Sequence, residues 1–378
     1  MADLRARLFS AAREPLWAAL LAILASLTIC FLAILATGKD PIAGYGYLVE
    51  GSFGGLRPLG ETGLKAGVLI LTGLSVAVAF SVGLFNIGAE GQLIWGGLAA
   101  AVVAARFDLP APILIPLSLG AAALAGALWG LIPALLKVGR GVHEVISTIL
   151  LNWVAIHLVH GWLVTGPLAV GTSGSGEHVS VAGTSPIFPA AHLPRLLSEG
   201  RLDLGLPISL VCALAIWALF RHTRPGFELR AVGAGAEAAR AAGIPVGRRV
   251  CEAMLLAGAL AGLSGGLLIL GTEHRYPGVF RTGYGFDGIA VALVGGSAAP
   301  GVVLAGLFFG AVRAGATRLQ LVGIHPSFAE LIQGLAVLLV AAPAIFKPIV
   351  AKLRGARPTA IAAAGSPTDP SVRPGGAP

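Results

Sequence analysis

Charge is what this sequence has least of. Only 12% of its 378 residues are Asp, Glu, Lys or Arg, while 56% are hydrophobic, against about 25% and about 45–50% in a soluble globular domain. So little charge cannot solvate a soluble body of this size. Cysteine is scarce as well. Cys30, Cys212 and Cys251 lie in or at the edge of apolar stretches, with no paired spacing and no histidine cluster beside them, so neither a disulfide framework nor a metal site is expected. The apolar runs do not alternate, which excludes a transmembrane β-barrel, and the 54 glycines follow no three-residue period, which excludes collagen. There is no Walker A pattern, no nucleophile elbow and no zinc-protease spacing. The chain therefore carries no visible energy-converting or hydrolytic centre, and no enzyme activity or cofactor is expected of it.

What remains is a succession of apolar runs near the roughly 20 residues that cross a ~30 Å hydrocarbon core. They fall at about 16–36, 64–84 and 87–106, then in a stretch ending near Leu136, then at 145–164, 204–220, 251–271, 286–298, 300–318 and 327–346. This predicts an all-α, polytopic transmembrane bundle. The formal charge of +8 does not point to nucleic acid, because the basic residues sit in short segments between apolar runs, where they report topology. Arg5, Arg7 and Arg13 put residues 1–15 in the cytoplasm. Segment 221–250, with Arg221, Arg224, Arg230, Arg240, Arg248 and Arg249 against Glu228 and Glu237, belongs there too, as does a largely disordered tail at 347–378 that starts with Lys347, Lys352, Arg354 and Arg357. Residues 165–203 form the longest external segment, a loop with a short interfacial helix. With 272–284 outside and the tail inside, the last runs of the 16–346 membrane domain make an odd number of crossings. That gives about ten helices, or eight plus a re-entrant pair, with both termini cytoplasmic.

Three constellations stand out. In GLFNIGAEGQ, residues 83–92, Asn86 and Glu90 are four apart and would share a helical face, with Gln92 beside them and Gly88 and Gly91 allowing a break or a close approach. An ionisable residue at membrane depth is costly enough to suggest function, yet Asn and Glu here could equally brace a helix break or serve a gate. Trp95 follows Gln92 by three, and Asn152 and Trp153 adjoin in the fifth run. Asn86, Glu90, Gln92, Trp95, Asn152 and Trp153 are thus candidates for a solute path, since aromatic faces stack and amides select polar edges. The second constellation is 228–249. A helix is expected over 236–242, with Glu237 and Arg240 at i,i+3 and Gly243 as its C-cap before Pro245. Its alanine face either seats in a cleft on another protein or packs beneath the bundle. The third is GYGFDGIAVALVGG, residues 283–296, where Asp287 could cap a helix, take part in gating or contact solute directly.

GLFNIGAEGQ at 83–92, FELRAVGAGAEAARAAGI at 227–244 and GYGFDGIAVALVGG at 283–296 together resemble the permease subunits of bacterial ABC importers in the branched-chain amino acid, ribose and simple-sugar group, and within it the nucleoside/simple-sugar branch. The resemblance covers roughly residues 15–346. It implies a cytoplasmic coupling segment that contacts an ATPase, matched here by Gly233, Glu237, Ala238, Ala239, Arg240, Gly243 and Ile244. Gly235 departs from the usual Asn or Ser, which weakens the capping of that helix. The resemblance also implies ten helices, a plasma (inner) membrane location in contact with lipid, and three partners: an ABC ATPase subunit, a second homologous permease and an extracytoplasmic solute-binding protein. The cargo it implies is a nucleoside or a simple sugar. An ion-coupled secondary transporter or channel is the rival class.

Overall fold

A computed structural model describes residues 20–170, 183–197, 200–278, 280 and 283–341. The expected cytoplasmic start at 1–15, the tail from 347 and part of the expected external loop lie outside these residues. The described residues form thirteen helices with no β-strand, only isolated bridges between Gly183 and Pro277 and between Arg195 and Asp203.

A first helix, α1, runs through Leu20–Ala36. It is followed by α2 (Pro41–Phe53), α3 (Leu56–Phe80), α4 (Ala89–Arg106) and α5 (Ala111–Arg140). Next come α6 (Glu144–Leu158) with a π turn to Leu163, α7 (Gly205–His222), α8 (Arg224–Ala234) and α9 (Ala236–Ala241). The last are α10 (Val246–Leu268) with a π turn to Glu273, α11 (Tyr284–Val294), α12 (Ala299–Gly315) continued by a 3₁₀ turn to Val322, and α13 (Ser327–Ala341). Six of these are long and apolar enough to cross a membrane, namely α3, α5, α6, α7, α10 and α12 with their extensions. The stretch before the second apolar run is itself helical. α2 is N-capped by Asp40 Oδ1, which accepts the Ile42 N–H at 2.8 Å, and α3 begins at Leu56 rather than near 64.

Small residues let these helices touch backbone to backbone, the packing expected where burial in lipid offers no hydrophobic drive between helices. Gly258, Gly262 and Gly266 recur every four residues on α10. They meet Gly126 and Ala122 of α5, and Gly96 of α4 lies on Gly262 so closely that a methyl group at either would strike main chain. On the other side Gly306 and Gly310 of α12 lie on Ile70 and Ala66 of α3. α3 and α10 are the most enclosed helices, with 89% and 78% of their apolar windows buried, whereas α7 and α5 bury only 22% and 28%.

α3–α4–α5 and α10–α11–α12 repeat one plan. Each opens with a long helix, continues through a stretch whose described residues are not helical (81–88, or 274–278, 280 and 283) and restarts as a helix within the bundle. Each closes with a helix antiparallel to the other set's first: α12 on α3, α5 on α10. With 11 residues, α11 is about 16 Å long at 1.5 Å per residue, half a bilayer core. Before it Phe280 packs against Gly97, and in its first turn Gly285 lies against Glu90.

Candidate functional site

The site is built where the two interrupted passes restart. After α3 the chain turns at Ser81–Gly83 and stays non-helical to Gly88. Asn86 lies in this link and is fully buried. The helical face expected for Asn86 and Glu90 therefore does not exist: the first amides of α4 need acceptors, and an Asn in the preceding link supplies one. Asn86 Oδ1 accepts the Gly88 N–H at 3.0 Å, and its Nδ2 donates to Gln92 Oε1 at 3.0 Å. From α6, Asn152 Oδ1 accepts the Gly91 N–H at 2.9 Å while Nδ2 donates to the Ile87 carbonyl at 2.8 Å. Gly91 is needed because a Cβ there would press on Asn152 Oδ1, and Gly88 fits closely between Asn86 and Thr148.

Glu90, 3% exposed, reaches from the first turn of α4 to the N-terminus of α11. Its carboxylate accepts the N–H of Gly283 at 3.0 Å and of Gly285 at 2.7 Å. Gly283 takes the left-handed conformation, φ 70°, which turns the entering chain so that both amides face one carboxylate. The positive end of the α11 dipole and two charge-assisted hydrogen bonds hold a charge that would otherwise be expensive at this depth. The expectation that Asp287 caps α11 is corrected accordingly: no side chain caps it at Gly283, Glu90 does that work from another helix, and Asp287 instead pairs with Arg313 of α12. The Arg313 guanidinium lies 4.0 Å from the Tyr284 ring centroid, and its carbonyl accepts from Lys65 Nζ at 3.1 Å.

A cavity of about 240 Å³ opens beside this junction, lined by Glu90, Ile149, Asn152, Trp153, Ile156, Gly283 and Phe286. It is smaller than the ~300–1,000 Å³ of an enclosing ligand site, and it opens on the side where Trp153 is 54% exposed. The six expected path residues thus separate. Glu90, Asn152 and Trp153 line the cavity, Asn86 and Gln92 form the brace behind it, and Trp95 packs on Trp129 at 5.1 Å between ring centroids. Among the described residues no group of three or more His, Cys, Asp or Glu is placed to hold a metal ion.

The basic segment forms a second feature. Thr223 caps α8 through the Gly226 N–H. α9 ends at Gly243, φ 81°, where the Ile244 N–H bonds back to the Ala239 carbonyl at 3.0 Å. α9 has no side-chain cap at Gly235. Of the two places open to the alanine face, a cleft on another protein or the underside of the bundle, Ala239 takes the second: it is only 4% exposed and belongs to the core of this chain. Six residues of helix cannot place consecutive alanines on one face, so Ala239 and the half-buried Ile244 anchor α9 while Glu237, Ala238, Arg240 and Gly243 stay open. Gly233 lies against the Ser81 carbonyl so closely that a Cβ would collide, so the basic segment touches the foot of the link that leads to Asn86 and Glu90. Two groupings escaped the sequence reading: Lys65 with Arg313, and Arg249 bridging Glu228 and Glu252. A lysine inside the second apolar run was the available signal for the first.

The sequence that builds this geometry is shared with known transport proteins. Residues 61–341, from early α3 to the end of α13, match the family model of the branched-chain amino acid transport system / permease component. The chain is 40% identical to a guanosine ABC transporter permease protein of Bacillus subtilis (89% of this chain, 95% of the relative). It is 36% identical to a glucose ABC transporter permease protein of Haloferax volcanii (88% and 90%) and 33% identical to a nucleoside ABC transporter permease protein of Lactococcus lactis (89% and 93%). With its interrupted helices, buried polar junction and apolar exterior inside the matched region, the chain belongs to the family of branched-chain amino acid transport system permease components, as a non-catalytic, multi-pass membrane protein.

Proposed function

We propose that this chain is the permease subunit of an ABC importer for nucleosides. The observation that carries the reading is the contrast between a glycine-packed centre and a polar open face between α6 and α11. The middle of the bundle is packed glycine on backbone, as where Gly96 meets Gly262 and Gly258 meets Gly126, while Glu90, Asn152 and Trp153 open a cavity between α6 and α11, close to the Asp287–Arg313 pair of α11 and α12. The flanks of α5 and α7 expose apolar side chains, such as Leu124, Leu128 and Leu135 or Val211 and Leu214, and suit lipid. A face bearing ionised groups does not, because each costs about 2.5–3.5 kcal/mol or more against hydrocarbon. It suits a second permease, with the solute passing along the seam. The exposed side of α9 is the surface for the ATPase, the α8–α9 end lies in the cytoplasm, and α1, α4, α11 and α13 complete ten passes with the six long helices. The guanosine and nucleoside relatives favour a nucleoside, and Trp153 with Asn152 suits a planar base with polar edges. The glucose relative makes simple sugar the second reading.

The test is reconstitution with ATPase, second permease and solute-binding protein in proteoliposomes. ATP-dependent guanosine, adenosine or uridine uptake that excess glucose or ribose leaves untouched supports the nucleoside reading. The opposite order selects sugars, and uptake driven by a proton gradient without the ATPase discards the importer. Cysteines placed at Trp153 or Phe286 should crosslink to the second permease, whereas one at Leu128 should not.

A further inference from the structure

Between Arg221 and Val250, all described residues, Phe227 of α8 is the single large apolar side chain left in the open, 62% exposed. Its neighbours three residues away on the same face are Arg224 and Arg230. Both are exposed and, like Arg221 in the last turn of α7, have no acidic partner among the described residues. The other face of α8 is committed to the protein: Leu229 and Val232 are buried, and Glu228 is held by Arg249 of α10. What α8 turns outward is therefore an aromatic ring flanked by uncompensated guanidinium groups.

The height of this face decides what covers it. Thr223, in extended conformation, separates α7 from α8; its hydroxyl donates to the Leu219 carbonyl at 2.7 Å and accepts the Gly226 N–H at 3.2 Å. The first turn of α8 is thereby held against the last turn of α7, with Gly226 so near the Leu219 carbonyl that a Cβ would collide. Phe227 is level with the end of α7. There the lipid-facing stripe of Leu210, Val211 and Leu214 gives way to Trp217, edge-on to His222, and then to Arg221, the order of apolar, aromatic and basic residues that marks a membrane boundary. The exposed face of α8 continues that stripe. α9 differs, since its Glu237 and Arg240 neutralise each other at 2.7 Å; the arginines of α8 are the ones that call for an anionic surface.

We propose that α8 is an interfacial helix that binds anionic phospholipid of the cytoplasmic leaflet, with Phe227 entering the boundary of the acyl chains and Arg221, Arg224 and Arg230 holding headgroup phosphates. The proposal rests on the cytoplasmic placement of the α8–α9 end above. It gives the lipid a mechanical role. Gly233, at the far end of α8, lies on the Ser81 carbonyl, so the lipid that fixes the height of α8 also fixes how the basic segment bears on the link leading to Asn86 and Glu90, and uptake becomes sensitive to the charge of the leaflet.

The experiment places a spin label on F227C, in a background free of native cysteines, and measures the complete complex in nanodiscs of phosphatidylglycerol and phosphatidylcholine, with the ATPase bound and after its removal. The label should be reached by oxygen and shielded from a water-soluble nickel chelate in both states, as a label at Leu214 is and one at Glu237 is not. Phosphatidylglycerol retained by the complex, read by native mass spectrometry, should fall about twentyfold in R224Q combined with R230Q, at about fivefold per charge, while R224K combined with R230K keeps most of it and shows that the fold is intact. Uptake by the reconstituted importer should be faster in vesicles containing phosphatidylglycerol than in phosphatidylcholine alone, and R224Q/R230Q should lose that difference. A label at 227 open to the chelate in both states, or equal retention of phosphatidylglycerol in R224Q/R230Q and wild type, would overturn the lipid assignment alone. Shielding that appears only with the ATPase bound would overturn it in favour of a protein contact. Labelling of a cysteine at Ala238 by an impermeant thiol reagent from outside intact cells would overturn the cytoplasmic placement itself.

Discussion

Replacing Glu90 by Gln tests whether the joint between α4 and α11 holds the site together. The carboxylate accepts two main-chain N–H groups, from Gly283 and Gly285, in a buried setting. Gln keeps the shape but has one acceptor oxygen, and its NH₂ group would face the second N–H donor. One charge-assisted hydrogen bond, about 1.5–3 kcal/mol, is lost, and an amide is left unsatisfied at about 1–3 kcal/mol. Part of the second cost is recovered if the first turn of α11 frays, so the expected loss is about 3 kcal/mol, a large share of the roughly 5–15 kcal/mol that hold a domain folded. Hydrogen exchange in detergent should show the Gly285 amide opening on the order of a hundredfold more often, at about 1.4 kcal/mol per tenfold. Glu90→Leu should be worse, because it abandons both amides. Uptake should fall in the same order while membrane abundance of Glu90→Gln stays near wild type. Wild-type protection at Gly285 together with wild-type uptake in Glu90→Gln would refute the argument that this carboxylate organises the site.

Two further outcomes follow from the structure. Ala238→Trp should leave the chain inserted and abundant but prevent the ATPase from co-purifying, since Ala238 is on the open side of α9, whereas Ala239→Trp should lower abundance because its side chain lies in the core of this chain; equal behaviour of the two would remove α9 as the dock. His192 and His274 stack at 3.9 Å on the face away from α8–α9, and burial first lowers both pKa values, followed by Arg195 for His192 and by His192, Arg195 and Arg201 for His274. A folded-state value below the ordinary ~6.5 means that stability is present at neutral pH and is lost as pH falls from that value toward the lowered ones. Exchange protection at Ile187 and Leu193, whose amides bond to the His274 and Leu270 carbonyls, should therefore drop on acidification, and His192→Phe with His274→Phe should remove that dependence; an unchanged pH profile in the double variant would exclude the pair as its source.

Composition alone determined that this chain is an α-helical membrane protein, because too few charges and repeated 20-residue apolar runs leave no other solvent for it. Local chemistry was readable in the same way. Gly243 before Pro245 ends α9 where expected, since a left-handed residue and a missing N–H act within a turn. The motif around Asn86 and Glu90 could be recognised as important, yet what it does was not readable: the acceptors and donors that answer it are Asn152, 61 and 65 residues beyond its two partners, in α6, and Gly283 and Gly285, 193 and 195 residues beyond Glu90, and no local periodicity encodes a partner at that distance. For the same reason Ala238 and Ala239 look alike in the sequence and differ completely once α9 is packed. The two opposed sets of helices, the glycine-packed centre and the polar junction of α4, α6 and α11 were decided only by tertiary structure, because backbone amides freed by an interrupted helix must find acceptors wherever the fold brings them.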